Sequence, residues 1–209
     1  GLYGKPTVVN NVETLVNVAA ILEKGAEAYA ALGTAASSGT KAMCLNHGFA
    51  RPGIVEVEFG TPLRSLIEEA GGSADGKPLE AVILGGPMGS LILPDRWDVS
   101  ICYGTMAQQG IQLGHGGLVA LPEGTDYRAL LEHWLKFMVD ESCGKCVPCR
   151  LGSQKAWTLV REGLQPQSRS QLDRLFEVME QGSLCAFGQS MPAPMRQMLE
   201  YFGDRIFTD

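Results

Sequence analysis

Long apolar runs, an excess of basic charge and a dense cysteine pattern are all missing from this 209-residue chain. No apolar stretch approaches the ~18–20 residues needed to cross a bilayer, so direct membrane insertion is not expected. With 17 Lys+Arg against 23 Asp+Glu the formal net charge is −6 and the pI about 5.1. Such a chain is poorly suited to coating a phosphate backbone, and nucleic acid is not an expected partner. Charged residues make up only 19% and hydrophobic residues 45%, too apolar a balance for intrinsic disorder. Six cysteines in 209 residues are too sparse for a disulfide scaffold. The three histidines, His47, His115 and His133, are isolated from one another, and no Ser/His/Asp set or carboxylate pair stands out. The chain opens on Gly1 without a basic segment and apolar core, so no secretory signal is expected. That opening points either to processing or to the later part of a longer polypeptide.

Glycine is plentiful, 26 residues or about 12% against a usual ~7%, which predicts many turns. Asn10 followed three residues later by Glu13 resembles a capping box. Behind it Val12, Leu15, Val16, Ala19 and Leu22 fall at helical spacing. Residues 34–40, TAASSGT, read as a small-residue linker and the first boundary. From Lys41 to Leu121 short pieces alternate with glycine. Val55, Val57 and Phe59 predict a half-buried strand. Thr61 as a capping hydroxyl and Pro62 at the first helical position predict the start of a helix buried through Leu63, Leu66 and Ile67 and stopped by Gly71-Gly72. Ala81–Leu84 and Leu118–Leu121 read as further strands. The GGPMG and GHGG stretches between them read as tight turns rather than phosphate loops, having no following lysine.

After Pro122 the period changes. Tyr127, Leu130, Leu131, Trp134, Leu135, Met138 and Val139 form one helical stripe. Leu151, Ala156, Leu159 and Val160 form a second, Leu172, Leu175, Phe176 and Met179 a third, and Met195, Met198, Leu199 and Phe202 a fourth. Four short amphipathic helices with short connections predict a bundle. The fold class expected is therefore α+β: a small strand-rich module followed by a four-helix bundle, divided at 34–122 and 123–209.

The cysteines sit at the joints. Cys143, Cys146 and Cys149 lie at spacing three in ESCGKCVPCR, and Cys185 stands alone in GSLCAFG. Three thiols leading into a helix, with a fourth from a distant loop, match the way thiolates hold cubane iron–sulfur clusters. Structural zinc also takes four cysteines, though usually as two pairs, so zinc stays open as the alternative. Lys145 and Arg150 add positive charge that would lower the thiol pKa values. Cys44 and Cys102 have no ligand-type neighbours and are expected as buried thiols.

Taken together, GLYGKPTVVNNVET, ESCGKCVPCR and GSLCAFG resemble the C-terminal half of the flavin-containing NADH-binding subunit. That subunit occurs in respiratory complex I, NAD-dependent formate dehydrogenases and NAD-reducing hydrogenases. The resemblance implies a [4Fe–4S] cluster on Cys143, Cys146, Cys149 and Cys185, exchanging electrons with FMN. It implies that ARPGIVEVEFGTPLRSLIEEAGG belongs to an SLBB-type, ubiquitin-like β-grasp module, and that residues 1–33 are a remnant of the flavin-binding domain. Within that remnant, Asn10, Asn11 and Thr14 would reach the flavin. GGPMG and LGHGG look more like the formate dehydrogenase and hydrogenase relatives. Implied partners are the flavin- and NADH-binding N-terminal portion, a thioredoxin-like ferredoxin subunit and other iron–sulfur subunits, in the cytoplasm or on the cytoplasmic face of a membrane complex. The family's glycine-rich N-terminal segment is absent from this sequence, so the chain alone is expected to hold a cluster without oxidising NADH. The other reading is an interaction or assembly module, stapled by zinc or by a cluster that does not turn over.

Overall fold

The structure, a computed structural model, describes residues 1–165 and 167–207. Two helices, α1 (Val12–Lys24) and α2 (Ala26–Ala30), precede two short strands, β1 (Gly33–Thr34) and β2 (Ser37–Ser38). Then come β3 (Thr40–Leu45), β4 (Gly53–Glu58), α3 (Leu63–Glu69), β5 (Leu79–Leu84), β6 (Ser90–Ile92), α4 (Tyr103–Gln108) and β7 (Gly117–Pro122). The rest is helical: α5 (Tyr127–Glu141), α6 (Val147–Arg161), α7 (Ser168–Gly182), α8 (Ala186–Ser190) and α9 (Pro192–Ile206). The result is a mixed α/β architecture in which none of the described helices is long and apolar enough to cross a membrane.

The main sheet has the order β4-β3-β7-β5-β6, antiparallel except for the parallel β3–β7 pair. Its two faces explain why β5 reads as an unbroken apolar run. Val82 and Leu84 face a core shared with Leu63, Leu66 and Ile67 of α3. Ala81 and Ile83 face a second core built with Leu131, Leu135, Phe176 and Met198 of the long helices. A strand covered on both sides needs apolar residues at every position, not every second one. Each Leu or Phe fully buried in these cores stabilises the fold by about 1.5–3 kcal/mol.

The four long helices follow the apolar stripes, except that Leu151 of α6 is exposed and Gly152 and Ser153 are buried in its place. Asp126 caps α5 by accepting from the Ala129 amide at 2.9 Å. Tyr127, at the start of α5, stacks on Phe202 of α9 with ring centroids 3.7 Å apart. Its hydroxyl donates to Glu80 at 3.1 Å, and Arg205 closes the group by donating to Glu80 and to the Thr125 carbonyl. At the sheet edge the Leu91 amide donates to Gln197 of α9 at 2.8 Å, so a helix side chain partners part of an edge strand.

Several local expectations are corrected. The cap of α1 is Asn11, which accepts from the Glu13 amide at 2.8 Å; Asn10 does not cap. Glu13 does not reach back to complete a capping box. Its carboxylate accepts from the Ala42 amide at 2.7 Å and pairs with Lys41 on β3. The apolar residues of α1 are not core: Val12, Leu15, Val16 and Leu22 are all exposed, with Leu22 at 81%. The small-residue stretch is no linker but the β1–β2 ladder, pairing Gly33 with Ser38 and Thr34 with Ser37. Thr61 does not cap α3; its hydroxyl donates to the Glu58 carbonyl. Cys44 is exposed on the outward side of β3, while Cys102 is buried as expected.

Candidate metal centre

The triplet lies where α5 gives way to α6. Cys143 is exposed in the connecting loop, Cys146 is the N-cap of α6, and Cys149 is buried in its first turn. Pro148 fits there because the first-turn amides of a helix have no intrahelical partner to lose. The loop turns at Gly144, whose φ of 73° strongly favours glycine. Arg150 pins it by donating to the Gly144 carbonyl at 2.7 Å. Cys185 is the N-cap of α8, which packs against both α6 and α7.

Electrostatics link the four thiols. Burial pushes the Cys149 pKa up, a hydrogen bond with Ser142 opposes this, and the charges of Cys146, Cys185 and Cys143 push it further up. The Cys146 thiol is held below the ordinary range chiefly by the Leu184 and Cys149 amides, with burial opposing. Thiolates gathered in this way repel one another, and a cationic centre among them relieves that repulsion. The thiols share one end of the helices without meeting at a point. Among the described residues no three His, Cys, Asp or Glu side chains are close enough to hold a single ion. One tetrahedral zinc with Zn–S of ~2.3 Å holds its sulfurs about 3.8 Å apart. A cubane binds each thiolate to a different iron, so its ligands stand further apart.

Two neighbouring residues escaped the sequence reading. Ser142 Oγ lies 3.4 Å from Cys149 Sγ and accepts from the Gly144 amide. Ser183 is 5% exposed, and its hydroxyl makes no hydrogen bond. The available signal was a serine one or two positions before a cysteine at each half of the site, in ESC and SLC. Thiol donors, inward-pointing amides and a buried unpaired hydroxyl fit a sulfur-rich cluster. Beside the site is a cavity of about 670 Å³, lined by Met88, His115, Phe137, Glu141 and Phe187 among others.

The residues expected to reach flavin lie elsewhere, at the start of α1. Asn10, Asn11 and Thr14 are all exposed. Asn11 uses its side-chain oxygen as the helix cap, and Thr14 lines a small cavity of about 260 Å³ with Asn17, Tyr29, Lys41 and Tyr103. Cys102 sits away from the four clustered thiols. Ser37, Thr105 and Thr34 surround it and lower its pKa to about 6.

Residues 129–208 match the NADH-ubiquinone oxidoreductase-F iron-sulfur binding region, and residues 49–91 match the SLBB domain. The chain therefore carries an iron–sulfur binding region of the NADH-ubiquinone oxidoreductase-F type together with an SLBB domain. More particularly, it is 37% identical to the HndC subunit of the NADP-reducing hydrogenase of Solidesulfovibrio fructosivorans, over 98% of this chain and 43% of that one. It is 32% identical to the F subunit of the NADH-quinone oxidoreductase of Rickettsia typhi, over 99% of this chain and 50% of that one. A crystal structure of NAD+-reducing [NiFe]-hydrogenase in the H2-reduced state superposes with a TM-score of 0.86 at 32% identity, covering 99% of this chain and 36% of that chain. The chain spans about half the length of the curated relatives it matches.

Proposed function

We propose that this chain is the electron-relay part of an NADH-linked oxidoreductase subunit, holding one [4Fe–4S] cluster on Cys143, Cys146, Cys149 and Cys185. The observation that carries this is the placement of Cys146 and Cys149 at the start of α6 against α8, whose N-cap is Cys185, so that the triplet and the distant cysteine share one end of the helices. When bound, the cluster supplies one-electron storage. The chain's residues do the rest. Cys149 and the α6 N-terminus provide a partly dry, donor-rich wall, Arg150 fixes the loop bearing Cys143, and α8 brings in Cys185. No proton transfer or covalent step is required of these residues.

In finer detail, the sheet is an SLBB-type β-grasp unit and α5, α6, α7 and α9 are a four-helix bundle. The divisions fall at 34–122 and 123–209, with 1–33 belonging to a flavin-binding domain. Asn10, Asn11 and Thr14 then face FMN in the complete subunit. The exposed apolar side of α1 supports this, because Val12, Leu15, Val16 and Leu22 are left uncovered by the described residues. Partners are the flavin- and NADH-binding portion, a thioredoxin-like ferredoxin subunit and other iron–sulfur subunits, on the cytoplasmic side.

Metal and sulfide analysis of anaerobically purified protein tests the reading. Brown protein with about four iron and four acid-labile sulfide per chain is expected. Colourless protein with zinc would overturn it. The isolated chain is expected to reduce no dye with NADH; turnover would refute the assignment of NADH oxidation to the flavin-binding portion.

A further inference from the structure

We propose that the Ser183 and Ser142 hydroxyls donate hydrogen bonds to sulfur atoms of the bound cluster and so raise its reduction potential, an inference that rests on the cluster reading above. Ser183 is the sharper case. Its amide donates to the Met179 carbonyl at 3.1 Å, and its carbonyl accepts from Gln189 Nε2 at 2.8 Å, so its backbone is committed at both ends. The hydroxyl is the one polar group left over, almost fully buried and without a partner. A buried donor left in that state destabilises the fold, which makes an absent acceptor the natural explanation.

The surroundings show which acceptor. A Cβ on Gly188 would stand 2.4 Å from Ser183 Oγ and 3.0 Å from Cys149 Cβ, so hydroxyl and cysteine flank the same glycine. Ser142 makes the matching approach from the opposite half of the site. Its oxygen accepts from the Gly144 amide, which leaves its proton for the Cys149 sulfur 3.4 Å away. Two hydroxyls from two separate loops thus flank the buried Cys149. Reduction adds negative charge to the sulfur-rich centre, and a donor aimed at sulfur stabilises the reduced form more than the oxidised one.

The test uses the chain with its cluster, titrated with dithionite against redox mediators and read by EPR. S183A is expected to keep full iron and sulfide while its midpoint falls. A roughly fivefold shift in the reduced-to-oxidised ratio corresponds to about 40 mV at ~59 mV per decade for one electron. S142A should shift the same way, and S183T, which keeps the hydroxyl, should titrate like wild type. Pulsed EPR in D2O should show exchangeable deuterons coupled to the reduced wild-type cluster, one of them lost in S183A. Full sulfide with unmoved midpoints in both alanine variants overturns the proposal, leaving the cluster reading intact. Wild type with no exchangeable coupling overturns it too, even if S183A fails to load. Wild type with zinc and no sulfide overturns both readings together.

Discussion

Replacing Gly188 with alanine probes how tightly the fourth cysteine is seated. The new methyl carbon would lie 2.6 Å from Ser183 Cβ and 3.0 Å from Cys149 Cβ. Non-bonded carbons settle at about 3.5–4.0 Å, so one partner must retreat by roughly 1 Å. Cys149 is buried within α6, and Ser183 is tethered through both backbone groups, so neither yields easily. The displacement falls on the loop from Ser183 to α8, and with it on Cys185. Overpacking of this kind destabilises by about 1–3 kcal/mol. For a chain of this size that is a Tm lower by roughly 2–12 °C. On the proposed ligand set, the cluster-loaded protein should also lose iron faster to a chelator, because Cys185 is the proposed ligand on the displaced loop. Gly152→Ala is the comparison: its methyl meets only the Cγ and Sδ of Met179, the flexible end of a side chain, and alanine is the better helix former. Differential scanning calorimetry with iron analysis reads both variants. If Gly188→Ala keeps wild-type iron retention and melts no lower than Gly152→Ala, the steric argument is wrong.

Other outcomes follow from the same contacts. Cys146→Ala should abolish cluster loading and loosen the helical end; a variant with full iron content and an unchanged Tm would refute the ligand assignment. Glu13→Gln leaves Lys41, 6% exposed, without its counter-charge, at a cost of about 1–3 kcal/mol. Burial pushes the Glu13 carboxyl up, but the Ala42 amide and Lys41 outweigh it, and the net pKa is lowered. The contribution is therefore present above the unfolded carboxylate value of ~4.3 and lost as pH falls through the folded value. Hydrogen exchange in α1 should accelerate in Glu13→Gln near neutrality and match wild type in acid, and equal rates at pH 7 would contradict this. In native alkylation with mass spectrometry, Cys44 should react and Cys102 should not. Stripping the iron should add Cys143 and Cys185 to the reactive set; early labelling of Cys102 would show the packing around Ser37 to be wrong.

The long helices were legible because each buries a single stripe, so 3.6-residue spacing survives in the sequence. The candidate cysteines were legible because three of the four proposed ligands lie within seven residues of one another. β3 was hidden because Lys41 shares the buried side with Met43 and Leu45, and a charge at that position erases the alternation. Its partner Glu13 lies 28 residues upstream, where no strand rule would look. The stripe on α1 was real but misread: spacing shows that a face is apolar, not which surface covers it. Ser183 was invisible because its significance lies in a hydrogen bond it does not make.

The second core is shared. Ala81, Ile83, Leu91 and Leu121 of the sheet lie in the same cluster as the helices that carry the cysteines. Cutting the polypeptide near residue 122 would leave both halves with raw apolar walls, the strands losing their lid and the helices their floor. The two regions matched by separate family models are therefore expected to melt as one cooperative body, and damage to strand packing far from any sulfur to loosen the proposed cluster site.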